Sequence, residues 1–330
     1  MERRLAVALI QPEYSLDTVE SLSRFKKMVD YAMAATIRPE MVIGVEFGLG
    51  RQVEPIPGPT TQFLSELAIK HRIYLIPGTM LESAPELPEG QYYNTCPVFA
   101  PDGRIIATHR KMVPFRPGES CAPGPSDRYC LFEIPEKNIK VGVQVCYDQF
   151  FPEIARTLAL MGAELIVTPS MDTVEFEEVS EAVARVRAME NQAYYIWTNG
   201  VGTLHGGTSC GRSIITDPMG KVVIRCGNQP SVVSEVLDFQ YVTRNRWAGK
   251  DQHLNSLRHF HVEYPFADRL EQAPLYEKMP TLADTAEEHR ARTDFFGIGN
   301  PYPKADREER RELDRTMNAI LDELAAGKKK

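Results

Sequence analysis

Apolar residues along the first 238 positions fall into two alternating patterns. Short runs at Arg4–Ile10, Met41–Glu46, Ile73–Thr79, Val141–Val145, Glu164–Pro169, Tyr194–Asn199 and Ser231–Leu237 have the length of strands. Between several of them the apolar positions take helical spacing. Asp17–Thr36 carries Val19, Leu22, Phe25, Val29 and Met33, with Asp17 as a cap. Pro59–Arg72 puts Phe63, Leu64, Leu67 and Ala68 on one face, and Pro152–Met161 and Glu177–Ala193 add two more helices. Strand alternating with helix predicts an α/β sheet with helical cover. Two turns modify it. Pro101-Asp102-Gly103 joins Tyr92–Ala100 to Arg104–Lys111, and Asp217-Pro218-Met219-Gly220 joins Ser209–Thr216 to Lys221–Arg225. Both read as hairpins, so the sheet is mixed.

From about Val242 the pattern fades. Arg, His, Tyr and Pro become frequent, and Ala305–Ala326 reads as a charged helix with a narrow stripe of Leu313, Met317, Ile320, Leu321 and Leu324. The chain therefore divides into one domain over residues 1–241 and an extension over residues 242–330 that packs on the body or on a partner subunit.

Composition narrows the partners. A formal charge of −7 argues against nucleic acid. No run approaches the roughly 20 apolar residues of a membrane span, and the opening MERR does not lead into a signal peptide. Six cysteines at 96, 121, 130, 146, 210 and 226 include no CxxC pair, which points away from zinc and disulfides and towards a reducing, cytoplasmic location. Neither GxGxxG, GxxxxGK[ST] nor HExxH occurs.

The chemistry centres on Lys140–Arg156, KVGVQVCYDQFFPEIAR. A run delivers Cys146 into a turn, and Pro152 opens a helix; α/β enzymes hold reactive side chains at such strand ends. A thiol nucleophile needs a proton acceptor. The seven histidines do not sit convincingly at carboxyl ends of strands, although His109 comes close. Glu46 and Lys111 do, one ending the Met41–Val45 run and the other following the first hairpin. A carboxylate beside the thiol serves as general base. An ammonium, with the Tyr147 N–H, faces the oxyanion.

Taken together, GVEFG around Glu46, YNTCPVFAPDGRIIATHRKMVPF around Lys111, VGVQVCYDQFFPEIAR around Cys146 and ARVRAMENQAYYIWTNGVG at Ala184–Gly202 resemble the carbon–nitrogen hydrolase (nitrilase) superfamily over roughly residues 4–238. The resemblance implies a four-layer α-β-β-α sandwich with Cys146 as nucleophile, Glu46 as general base and Lys111 as oxyanion stabiliser. It also places Glu119 where amidase-type members carry a second active-site glutamate that positions substrate. No metal or organic cofactor is implied. Pairing through the helices at Pro152–Met161 and Glu177–Ala193 implies a homodimer or larger homo-oligomer. Cys146 is followed by Tyr147-Asp148, whereas nitrilases tend to have Trp-Glu, so a small linear amide or N-carbamoyl amine ranks above a nitrile. Met171 is a pocket candidate. Tyr147, with Phe150 and Phe151, forms either an apolar substrate wall or packing. Acyl transfer to an amine or thiol, and a non-catalytic partner-binding role, are the alternatives to hydrolysis.

Overall fold

The computed structural model describes residues 3–116, 118–204, 206–259, 272–276, 281–283 and 285–295. The chain divides into two compact units, Met1–Phe115 with Glu119–Asp268, and Arg116–Gly118 with Arg269–Lys330.

The first unit opens with β1 (Arg4–Gln11), α1 (Thr18–Met33), β2 (Met41–Val45), β3 (Val53–Glu54), α2 (Pro59–His71), β4 (Tyr74–Gly78) and β5 (Met80–Glu82). The first expected hairpin follows as β6 (Tyr93–Phe99) and β7 (Ile105–Arg110). Next come β8 (Cys130–Ile134), β9 (Ile139–Val143), α3 (Pro152–Leu160), β10 (Leu165–Pro169), α4 (Glu177–Asn191) and β11 (Tyr194–Thr198). A small hairpin, β12 (Val201–Leu204) and β13 (Gly207–Cys210), precedes β14 (Ile214–Thr216), β15 (Val222–Arg225), β16 (Ser231–Asp238), α5 (Phe239–Ala248) and α6 (His253–Ser256). In the second unit α7 spans Ala286–Phe295.

Two sheets form the centre of the first unit. One has the order β16-β1-β2-β4-β6-β5-β3 with β7 beside β6; the other runs β15-β14-β11-β10-β9-β8. Each contains three consecutive parallel strands, β1-β2-β4 and β9-β10-β11. Strands covered on both faces need apolar residues at every position, and β2, β4, β10 and β11 are buried throughout. Alternate residues therefore serve different layers. Leu5, Val7 and Leu9 of β1 join Met41, Ile43, Val141, Val143, Leu165, Val167 and Ile196 in the core between the sheets. Ala8 and Ile10 face Phe25, Val29, Leu64 and Leu67 of α1 and α2. On the far side Ile154, Leu158, Ala184 and Ala188 of α3 and α4 pack against Ile166, Tyr195 and Trp197. The result is the expected four-layer α-β-β-α sandwich.

Details differ from the sequence reading. Asp17 caps α1, its side chain accepting from the Glu20 N–H at 2.8 Å. The buried face of α1, however, is Ser21, Phe25, Val29 and Ala32, and Val19 is 78% exposed. In the second hairpin only Ile214–Thr216 pairs with Val222–Arg225, because Gly207–Cys210 turns back onto Val201–Leu204. The boundary expected at residue 242 falls inside α5, whose Val242 is fully buried in the core between the sheets. The expected helix at Ala305–Ala326 lies outside the described residues.

Candidate active site

Glu46, Cys146 and Asp172 all follow the carboxyl ends of parallel strands, β2, β9 and β10, and Lys111 follows the end of β7. Such ends are where backbone direction changes and side chains converge. Behind Glu46 the backbone enters the left-handed region at Phe47 (φ 56°), whose N–H donates to Thr79 Oγ1 at 2.9 Å. Beneath it Gly78 pairs with Val45 at φ 93°, so close that an added Cβ would stand 1.8 Å from the Val45 carbonyl oxygen. Only glycine fits there.

The Lys111 side chain is fully buried and Glu46 almost so. Lys111 Nζ donates to Glu46 Oε1 at 2.9 Å and to Glu119 Oε1 at 2.7 Å. Glu46 accepts further hydrogen bonds from Asn94 Nδ2 on Oε1 (2.8 Å) and from the Met171 N–H on Oε2 (2.9 Å). Glu119 is itself oriented, since its Oε2 accepts from the Phe115 N–H at 2.7 Å. One ammonium is thus locked between two carboxylates, each held by independent donors.

Cys146 opens a 3-10 turn, Cys146–Phe150, that leads into α3. It sits at φ 46°, an unfavourable backbone region for a side chain with a Cβ. What over-determines it is Asp148. This fully buried carboxylate accepts from Val145 N–H at 3.0 Å, Val113 N–H at 2.9 Å and His109 Nε2 at 2.8 Å. His109, passed over as a base, ties the β7 strand to the turn that holds Cys146.

Burial pushes the Cys146 thiol well above the ordinary cysteine range; Glu46 adds to that, while Lys111 opposes it. Burial also raises Glu46, Lys111 pulls it back and Glu119 pushes it up again, leaving it at about 7. Burial alone would lower Lys111, but Cys146, Glu46 and Glu119 outweigh that and raise it above the usual lysine range. At rest the site therefore holds a neutral thiol, an ammonium and a carboxylate poised to take a proton near neutrality.

The structure brings Glu46, Lys111, Glu119 and Cys146 together. Met171 reaches the site through its backbone N–H, while its half-buried side chain packs against the cluster of Tyr14, Val45, Phe47, Leu81 and Leu204. The Tyr147 ring is half-buried among Phe115, Phe150 and Phe151, with centroids 5.0, 5.5 and 5.4 Å away. Asn94, Asp148 and Asp172 were not singled out in sequence. Their hydrogen bonds span from 3 to 48 positions, and only Asp148, two residues past Cys146, had a local signal. The other five cysteines are buried, and none of them forms a disulfide among the described residues. Among the described residues, no group of three or more His, Cys, Asp and Glu side chains is placed to hold a metal ion, and no helix is long and apolar enough to cross a membrane.

Comparison with known proteins gives a consistent answer. The family model described as carbon-nitrogen hydrolase matches residues 6–246. Omega-amidase NIT2 of Danio rerio is 33% identical over 258 residues, covering 72% of this chain and 90% of that protein. Omega-amidase NIT2 of Homo sapiens is 34% identical over 203 residues, covering 58% and 71%. Among solved structures, Saccharomyces cerevisiae Nit3, a member of branch 10 of the nitrilase superfamily, aligns with a TM-score of 0.68 at 29% identity, covering 78% of this chain and 97% of that one. An amidase from Nesterenkonia sp. shares the fold at 21% identity, with a TM-score of 0.62 and coverage of 78% and 97%.

Proposed function

The chain belongs to the carbon–nitrogen hydrolase family, and on that premise we propose that it hydrolyses a small linear amide or N-carbamoyl amine through a thioester on Cys146. It is an amidohydrolase of non-peptide C–N bonds; the substrate and the assignment of roles are our reading. The observation that carries it is the bridge from Lys111 Nζ to both Glu46 and Glu119, beside a buried thiol.

In the proposed cycle Glu46 takes the thiol proton as Cys146 Sγ bonds to the carbonyl carbon. The oxyanion is met by Lys111 and the Tyr147 N–H. Collapse breaks the C–N bond, the leaving nitrogen takes the proton from Glu46, and ammonia or an amine departs. Glu46 then removes a proton from water, which attacks the thioester and releases the acid and the Cys146 thiol. Glu119 holds Lys111 and offers its carboxylate to the substrate amide. The omega-amidase relatives favour amides over nitriles.

Homodimer assembly is supported by the surface of two helices. Leu160, Met161, Val179, Val186 and Met189, on or next to α3 and α4, are exposed, and a second copy covering them would give a homodimer. Sedimentation of a Val186→Glu, Met189→Glu variant as a smaller species is the expected result.

The assay is release of ammonia from a panel of linear amides, N-carbamoyl amines and nitriles. Turnover of amides or carbamoyl compounds that disappears in Cys146→Ala supports the reading. Turnover of nitriles alone, or an unaffected Ala variant, contradicts it.

A further inference from the structure

A second carboxylate touches the nucleophile. Asp172, in the loop after β10, is 5% exposed. Its Oδ2 accepts from Trp197 Nε1 at 2.9 Å and Gln149 Nε2 at 3.3 Å, and its Oδ1 stands 3.7 Å from Cys146 Sγ, within reach of a thiol donor. The backbone of Asp172 is clamped. Its N–H donates to Asn199 Oδ1 (3.0 Å), and its carbonyl accepts from Asn199 Nδ2 (2.9 Å), Cys210 N–H (3.1 Å) and Ser209 Oγ (3.2 Å). The carboxylate cannot swing away from the sulfur.

Burying a carboxylate against neutral donors is costly, and an apolar side chain at this position would avoid the cost. Cys146 meanwhile occupies a strained backbone conformation that fixes its Cα but not its sulfur. These two facts have one explanation.

We propose that Asp172 is a positioning residue for the nucleophile, its Oδ1 accepting from the Cys146 thiol so that the sulfur is seated between Asp172 and Glu46. The inference rests on the reading of Cys146 as nucleophile. In this arrangement the negative charge of Asp172 adds to burial and to Glu46 in keeping the thiol protonated at rest, and its hydrogen bond keeps Sγ from rotating out of line. Glu46, also within hydrogen-bonding reach of the thiol, remains the group that takes the proton.

The titratable and charged groups facing Cys146 are Glu46 at the end of β2, Lys111 at the end of β7, Glu119 in the loop beyond it, Asp172 and Tyr14. Those around Asp172 are Lys111 and Cys146, with Tyr14, Tyr195 and Cys210 behind it. Arg187 on α4 donates to the Gln149 carbonyl at 2.9 Å. Replacing Asp172 by Asn removes a like charge and turns an amide N–H towards the sulfur. Both changes favour the thiolate.

The test is the pH dependence of Cys146 alkylation by iodoacetamide, followed by peptide mass spectrometry, in wild type and Asp172→Asn. The inflection is expected to fall by about one pH unit or more. In amide hydrolysis kcat is expected to fall about tenfold with KM nearly unchanged, the mark of a misplaced nucleophile. A folded Asp172→Asn protein whose alkylation profile overlays that of wild type overturns the proposal. If the Asn variant does not fold, carbon-13 NMR of aspartate-labelled wild type and Cys146→Ala gives the answer. Loss of the thiol donor is expected to raise the titration midpoint of one aspartate carboxyl, and no change in any of them overturns the proposal. Failure here leaves Cys146→Ala inactive, whereas failure of the functional reading leaves it active.

Discussion

Lys111 Nζ lies 2.9 Å from Glu46 Oε1, and both side chains are shut off from water. A buried pair of this kind is bound together by desolvation, because losing either member strands a charge in a low-dielectric site. Lys111→Met should therefore destabilise the protein by about 3–5 kcal/mol in urea unfolding. It should also reduce kcat/KM by at least about 10²–10³-fold, as loss of an oxyanion donor does. A stable, active Met variant would show that the ammonium is structural only.

Glu46 titrates at about 7 because burial and Glu119 outweigh the pull of Lys111. In its proposed role as general base it must be ionised, so kcat/KM should rise with pH through an inflection near 7. Glu119 pushes Glu46 up, so Glu119→Gln should move that inflection to lower pH while lowering the plateau. An inflection moving upwards would contradict the assigned coupling.

The same shift has a stability consequence of definite sign. Folded Glu46 keeps its proton to higher pH than the unfolded chain does. Its contribution is full below the unfolded carboxyl value of about 4.3 and is lost as pH rises through 7, by roughly 3–4 kcal/mol in all. Urea midpoints of wild type and Glu46→Gln should diverge between pH 5 and pH 8, wild type falling relative to the variant.

Asp148 satisfies two backbone N–H groups and His109 Nε2 from one buried carboxylate. Asp148→Ala orphans all three, and a loss of about 3 kcal/mol or more in urea unfolding is expected. A loss under about 1 kcal/mol would mean that solvent or relaxation takes its place.

Gly78 supports the strand end that carries Glu46. Ala there meets the Val45 carbonyl oxygen at 1.8 Å with φ at 93°, and destabilisation on the order of 3 kcal/mol is expected. Gly90 has a similar φ of 81° with nothing within 4 Å, so Gly90→Ala should cost only about 1–2 kcal/mol. Equal effects at the two positions would remove the steric argument.

Much of this was legible because strands buried on both faces leave continuous apolar runs, and reactive side chains sit where those runs stop. Glu46 and Cys146 stand at or just past such stops, and Lys111 follows β7, a partly exposed hairpin strand. What escaped were polar residues whose role depends on partners far away in sequence: Asn94 reaches Glu46 across 48 positions, and Asp172 reaches Trp197 across 25. No periodicity marks them. β8 (Cys130–Ile134) has the alternating burial of a strand, but its five residues directly follow a proline-rich stretch that reads as loop. Val19 misled in the other direction: it fits the helical spacing of α1, but Phe25, Val29 and Ala32 set the buried face.

The central claim is that amide hydrolysis passes through an acyl group on Cys146. Intact-protein mass spectrometry after rapid acid quench during turnover of a linear amide tests it most directly. The expected result is a protein population heavier by the substrate acyl group, mapped to Cys146 and absent from Cys146→Ala. An unmodified protein at every quench time, together with continued ammonia release by the Ala variant, would contradict it.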